Sequence, residues 1–342
     1  MTAISEDKLK NTASGIAFLR CTFSCFDDPT LRYDPRTLEF EGKILELLPG
    51  DVNFTGVPQS LEGCRQLAKL LEQGTTKFDN GMEDRWGGIS LNCARCKVVD
   101  EVIEDWAHDL ELNRKSTRSG KDNTQAQQAQ LVMLGAGLDF RARRHASEDG
   151  FLGPLSNDLT VFELDLPPMI SLREKLLKQI DEGECVTGVK FRHIPIDFNS
   201  DSLKQKLISN GFNENIPTLF VWEGVTYYLE PDAVKRTLTM IKECGTEKTT
   251  YLLFDYLDAR VVNKTHTNPA GELMRSVFQD EVNEPLLWGL EFDEMDKFSG
   301  DNGFTLERHW KPEDFEKQGY LGTSGPTMKA SPFFAMALLK NK

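Results

Sequence analysis

The stretch from Leu131 to His145, LVMLGAGLDFRARRH, decides how the rest of the chain is read. Leu131 to Leu134 are four consecutive apolar residues, as a strand covered on both faces of a parallel sheet requires. Gly135, Ala136 and Gly137 then make a turn with almost no side-chain bulk, so backbone can approach a ligand closely before a helix begins. About one helix length later Val161 to Asp165 reads VFELD, a strand ending in a carboxylate. A doubly wound sheet sets such a carboxylate against ribose hydroxyls. Together the two stretches read as a nucleoside site at the carboxyl edge of a sheet.

A dinucleotide fingerprint carries a third glycine where this chain has Phe140, to let helix and strand close over a pyrophosphate. Its absence argues against NAD or FAD. A nucleoside ligand without phosphate needs only the first two glycines, and S-adenosylmethionine is the commonest ligand of that kind. The turn taken alone fits equally well an α/β protein that binds nothing there.

Composition narrows the function classes. The 342 residues carry a net charge of −14, a field that repels phosphate backbones and argues against nucleic acid as a partner. No apolar run approaches the roughly 20 residues that span a bilayer, and the start, MTAISEDKLK, lacks the apolar segment of a secretory signal. The expectation is a cytoplasmic protein that does not enter membranes. Seven scattered cysteines suit reduced thiols. Cys93 and Cys96 form a Cys-x-x-Cys pair, but no second pair or nearby histidine completes a metal site.

Upstream of the organising stretch the pattern is helical. Thr12 to Phe26, Thr37 to Leu48, Leu61 to Gln73 and Asn92 to His108 each repeat apolar residues at helical spacing, with Val98, Val99, Val102, Ile103 and Trp106 on one side of the last. Residues 1–110 are therefore expected as a helical cap, and residues 111–130, polar and without periodicity, as a flexible connection. Downstream, residues 131–342 alternate strand and helix. Strands are expected at Val161 to Leu164, Phe191 to Ile196, Pro217 to Trp222 and Thr249 to Phe254, with a helix-rich insertion over 261–300. Phe304 to Trp310 and Pro332 to Lys340 read as two terminal strands too close for a full crossover, hence an antiparallel hairpin. The fold class is α/β: a doubly wound, mostly parallel seven-stranded, Rossmann-like sheet with that hairpin at its edge and a helical cap.

At this point the motifs carry a likeness. GAGLDFRARRH, VFELDLP, a strand ending at Asp197, and WEGVTYYLEPDAV occur in an order that resembles the S-adenosylmethionine-dependent methyltransferases of the leucine carboxyl methyltransferase family, from about Asn92 to Phe254. The resemblance implies the seven-stranded methyltransferase sheet and S-adenosylmethionine as cofactor, with S-adenosylhomocysteine as product. It assigns Arg95 to the methionine carboxylate of the cofactor, Gly135, Ala136 and Gly137 to the glycine turn, and Asp165 to the ribose. Asp197 and Phe198 fall to the adenine, and Glu223 to the methionine end, accepting from the ammonium. Trp222-Glu223-Gly224 resembles the microbial members that act on small molecules more than the subgroup that methylates protein phosphatase C-termini.

The implied reaction is methyl transfer to an oxygen, carboxylate or hydroxyl, of a small acceptor. Two alternatives stay open: carboxyl methylation of the C-terminal leucine of a phosphatase catalytic subunit, and a scaffold that binds cofactor without turnover. A carboxylate acceptor needs no base, whereas a hydroxyl does. The candidates by position are His193, Tyr227, Asp255 and His266. Arg20, Tyr227, Tyr228 and Arg260, with Lys97, are candidates to hold the acceptor. Glu163, two residues before Asp165 on the same strand face, is the alternative partner for the ribose.

Overall fold

The carboxyl ends of five parallel strands meet along one edge, and the order of those strands explains why. The computed structural model describes residues 6–48, 57–73, 87–118, 128–180, 188–245, 250–276, 278, 284–323 and 328–342. Four helices come first: α1 (Glu6–Ser24), α2 (Thr37–Leu47), α3 (Leu61–Glu72) and α4 (Gly88–Arg118). Then follow β1 (Ala129–Leu134), α5 (Arg141–His145), β2 (Leu159–Asp165), α6 (Pro167–Ile180), β3 (Lys190–Pro195), α7 (Leu203–Ser209), β4 (Thr218–Trp222), α8 (Pro231–Glu243) and β5 (Thr250–Leu257). The chain ends with α9 (Ala259–Val262), α10 (Pro269–Ser276), α11 (Met295–Asp301), β6 (Phe304–Trp310), α12 (Pro312–Lys317) and β7 (Phe334–Asn341).

The seven strands form one sheet in the order β3-β2-β1-β4-β5-β7-β6. β1 to β5 pair in parallel, while β7 runs antiparallel to both β5 and β6. The expected terminal hairpin is present, and it caps the parallel sheet on that side. The order reverses at β1, whose neighbours are β2 on one side and β4 on the other. A crevice opens at such a switch point, outside the carboxyl ends of the strands.

Both faces of β1 are covered, as its continuous apolar run requires. Leu131 and Met133 lie in a core shared with Phe18 of α1 and Val99 of α4. Val132 and Leu134 lie in the opposite core with Leu207 of α7 and Leu238 of α8. The N-terminal helices therefore share one buried core with a face of the sheet. α1 packs on α2, α3 and α4, and α2 reaches α5 and α6 beside the glycine turn.

Two local expectations change. The polar run from Glu111 continues α4 as far as Arg118, with Lys115 on Glu111 at 2.7 Å and the buried Arg114 reaching Asp158 at 3.5 Å. Side-chain pairing holds these turns where apolar periodicity is missing. The rest of the expected connection, residues 119–127, lies outside the described residues. In the insertion over 261–300, α9, α10 and α11 account for the helices; residues 277 and 279–283 lie outside the described residues, and Glu284 to Leu290 have no regular structure. Among the described residues no helix is long and apolar enough to cross a membrane.

Candidate active site

The glycine turn is held from three sides. The Gly135 and Ala136 N–H groups donate to Leu164 O at 2.8 and 2.9 Å, extending the β1–β2 pairing past the end of β1. Gly135 has φ +79°, and a Cβ there would lie 2.2 Å from Val225 Cγ2. Gly137, at φ +49°, faces open space: no atom lies within 4 Å of where its Cβ would be. Its N–H donates to Asp165 Oδ2 at 2.7 Å, and the Leu166 N–H donates to Oδ1 at 2.7 Å. Burial nonetheless pushes the Asp165 carboxyl above the usual aspartate range. On the inner side Arg173 Nη1 donates to the carbonyls of Ala136, Gly137 and Asp139 at 3.2, 2.7 and 2.8 Å. Phe140, where the dinucleotide fingerprint has glycine, is fully buried with the Arg173 guanidinium 4.3 Å from its ring centre.

Just past the end of β3, Asp197 Oδ1 accepts the Asn199 N–H at 2.9 Å in a local turn. Phe198 follows, 9% exposed, with its ring 6.4 Å from Trp222. Asp165 and Pro195 are paired partners in the sheet, so Asp165 and Asp197 stand on adjacent strands at the same edge.

Across the switch point a buried guanidinium organises the end of β4. Arg95, 3% exposed on α4, directs Nε to Glu223 Oε1 at 3.1 Å, Nη1 to Asp255 Oδ2 at 3.1 Å and to the Tyr227 hydroxyl at 3.2 Å, and Nη2 to Asn92 Oδ1 at 2.6 Å. Burial works against its charge, yet Tyr227, Glu223 and Asp255 hold it above the ordinary arginine value. Asp255 is fully buried on β5; its Oδ1 accepts the Gly224 N–H at 2.8 Å, and burial pushes it up to about 6 in spite of Arg95. Tyr227 and Tyr228 meet edge to face at 4.6 Å, and Phe278 lies 6.5 and 6.0 Å from the two rings.

The edge thus brings together Arg95, Gly135, Ala136, Gly137, Asp165, Asp197, Phe198 and Glu223, with Tyr227, Tyr228 and Asp255 beside them. Other candidates stand elsewhere. Glu163 does not reach toward Asp165's side: it is 1% exposed, bound to Arg173 at 2.6 Å and His193 at 3.0 Å, and Arg173 and His193 hold it down to about 2 against the effect of burial. His193 is committed to that carboxylate from the middle of β3. Arg20 donates to Leu138 O at 2.8 Å and lies 3.5 Å from Glu41, so it braces the glycine turn from behind. Arg260 is clamped on Asp258, and His266 sits edge-on to Phe333 between α9 and α10. Lys97 spends two donors on Thr30 O and Tyr320 O, both at 2.9 Å. Cys93 and Cys96 are fully buried, and burial pushes their thiols up to about 11 and about 12.

Two residues escaped the reading of the sequence, and a third, Arg141, reads there either as a brace of the first turn or as a ligand contact. Asn92, one turn before Arg95, fixes its guanidinium. Arg173 lies among Met169, Ile170, Leu176 and Leu177 on the buried face of α6, a cation in an apolar stripe and so a readable signal. Arg141, within the GAGLDFRARRH motif and 1% exposed, joins Glu223 to Asp100.

Residues 118–242, from the last residue of α4 nearly to the end of α8, match the family model described as leucine carboxyl methyltransferase. The chain is 27% identical over 185 residues to a Bacillus subtilis protein named "Putative S-adenosyl-L-methionine-dependent methyltransferase YktD", covering 54% of the chain and 57% of that protein. A Streptomyces coelicolor protein bearing the same name with the designation SCO7813 is 32% identical over 149 residues, 44% of the chain and 42% of that protein. The chain spans about half the length of the curated relatives it matches. A crystal structure titled as that of "a putative methyltransferase from Thermobifida fusca" aligns with 84% of this chain and 91% of its own at 16% identity, with a TM-score of 0.49.

Proposed function

We propose that the protein is an S-adenosylmethionine-dependent methyltransferase that methylates an oxygen of a small acceptor, a carboxylate in particular. The observation that carries this reading is the pairing of Arg95 with Glu223 at the end of β4, opposite Gly137 and Asp165 at the ends of β1 and β2. A zwitterionic amino-acid end asks for a guanidinium for its carboxylate and an acid for its ammonium. A nucleoside end asks for an acid at the ribose and backbone without bulk beside it. The open space in front of Gly137, beside a carboxylate fixed by two N–H groups, fits such a ligand.

When bound, the cofactor supplies an electrophilic methyl group on a sulfonium sulfur. The protein's share of the work is then to hold the acceptor in line and to exclude water. Tyr227, Tyr228 and Phe278 form an aromatic wall suited to that task. Each of the four candidate bases is already engaged. Tyr227 accepts from Arg95 and is held protonated by burial, while both Asp255 oxygens take N–H donors. His193 serves Glu163, and His266 accepts the Asn268 N–H at 3.0 Å. That arrangement favours an acceptor that arrives as a ready nucleophile, which a carboxylate is and a hydroxyl is not.

Titration with S-adenosylmethionine, followed by methylation of small carboxylic acids, matched hydroxyl compounds and a leucine-terminated phosphatase tail peptide, tests the reading. Methyl esters of small acids are expected. Turnover of the peptide alone moves the protein to carboxyl methylation of a protein terminus, and binding without turnover of any acceptor leaves a cofactor-binding scaffold.

A further inference from the structure

We propose that Arg141 is a positioning residue for the cofactor end of this site and that it acts through Glu223. The inference rests on the function proposed above, because Glu223 bears on the reaction only as a ligand for the cofactor. Arg141 is fully enclosed, and its donors are distributed over four acceptors. Nε donates to Asp139 Oδ2, Nη1 to Asp100 Oδ1 at 3.1 Å and Cys96 O at 3.4 Å, and Nη2 to Glu223 Oε2 at 2.7 Å. Glu223 is thereby stretched between two rigid forks, with Oε1 on Arg95 and Oε2 on Arg141. Each carboxylate oxygen keeps a lone pair for a further donor.

Remove Arg141, and Glu223 is free to turn both oxygens onto Arg95, neutralising the cation that is to meet the cofactor's carboxylate. Arg141 thus holds one Glu223 oxygen off Arg95 while the other stays paired with it.

The other anchor of Arg141 belongs to the N-terminal helices. Asp100 Oδ2 accepts from the Tyr33 hydroxyl at 2.6 Å and lies 3.2 Å from His145 Nε2 and 3.5 Å from Arg144 Nη2. Arg144 in turn binds Asp34 at 2.9 Å and Glu41 at 3.1 Å. Asp100, Tyr33, Asp34 and His145 also line a cavity of about 720 Å³ on the side of Arg141 away from Glu223. Burial disfavours the Asp100 carboxylate, but Arg141, His145 and Arg144 outweigh that and hold the group well below the usual aspartate range. Asp100, held by the Tyr33 hydroxyl from the connection between α1 and α2, is what fixes Arg141.

The test is a double-mutant cycle read by S-adenosylhomocysteine affinity, with thermal unfolding of every variant alongside. Arg141→Lys is expected to weaken binding tenfold or more in the wild-type background and less than twofold when Glu223→Gln is already present. Asp100→Asn, which leaves the Arg141 charge in place, is expected to weaken binding severalfold with the same dependence on Glu223, and it carries the test if Arg141→Lys does not fold. Equal losses in both backgrounds overturn the proposal and leave Arg141 as a brace of the fold. Failure of the wild-type chain to bind S-adenosylhomocysteine is a different outcome: it overturns the proposed function and this inference with it.

Discussion

Replacing Gly137 by alanine adds one methyl group to the space that the proposed cofactor would enter. No protein atom lies within 4 Å of that position, so the substitution meets no clash. What remains is the strain of an L-residue at φ +49°, roughly 1 to 2 kcal/mol. Gly135 is the control. Alanine there has the same backbone strain at φ +79°, and its Cβ would also stand 2.2 Å from Val225 Cγ2. Overpacking of that kind adds about 1 to 3 kcal/mol. The stability loss should therefore be about 1 to 2 kcal/mol for Gly137→Ala and roughly 2 to 5 kcal/mol for Gly135→Ala, the excess relieved by Val225→Ala. Ligand binding should rank the two the other way. Gly137→Ala should lower S-adenosylhomocysteine affinity at least tenfold, about 1.4 kcal/mol, because the methyl group intrudes between backbone and nucleoside. Urea unfolding and calorimetric titration of the two variants measure both quantities. Wild-type affinity in Gly137→Ala, with the protein folded, would refute the reasoning that this turn is the floor of the site.

Three further outcomes follow from the same geometry. Asp165→Ala should weaken S-adenosylhomocysteine by about 1 to 3 kcal/mol through loss of charge-assisted hydrogen bonds, measured by titration. Arg173→Met removes the cation that ties three turn carbonyls together and leaves Glu163 buried without its guanidinium partner. Urea unfolding should show a loss on the order of 3 to 5 kcal/mol. Glu163, held at about 2 in the folded chain against an ordinary value of 4.5, gives a signed pH effect. Its contribution to stability is complete above about pH 4.5 and is lost as pH falls toward 2, a span worth on the order of 3 kcal/mol. Between pH 5 and pH 3 the urea midpoint of the wild type should fall more steeply than that of Glu163→Gln; parallel curves would contradict the assignment.

The parts of the fold that the sequence announced are those whose physics is local. β1 and β4 are apolar on both faces because helices cover both, so LVML and TLFVW stand out without reference to any partner. The turn after β1 is legible because Gly135 and Gly137 need backbone angles that other residues resist. The partners of Arg20, Arg141 and Arg173 were not legible in the same way. An arginine in a helical pattern reads as a solvated charge, and only the tertiary structure shows that Arg173 reaches back to the carbonyls of residues 136–139 and Arg141 across to Glu223. The same limit explains the misplaced roles. Sequence cannot distinguish a buried cation that faces a ligand, as Arg95 is proposed to do, from one that faces a main-chain carbonyl, as Arg20 does. Glu163 and Asp165 share a strand face, yet an ion pair with Arg173 from α6 takes one and leaves the other. The end of α4 was lost for a related reason: Arg114 pairs with Asp158, far along the chain, and periodicity carries no trace of that contact.

The central claim is that the edge between Asp165 and Arg95 holds an adenosine with an amino-acid tail and no phosphate. A crystal structure of the chain soaked with S-adenosylhomocysteine tests it most directly. The account predicts ribose hydroxyls on Asp165, the carboxylate on Arg95 and the ammonium within reach of Glu223. Density for the ligand anywhere else, or an edge that stays free of ligand at saturating concentration, would contradict it.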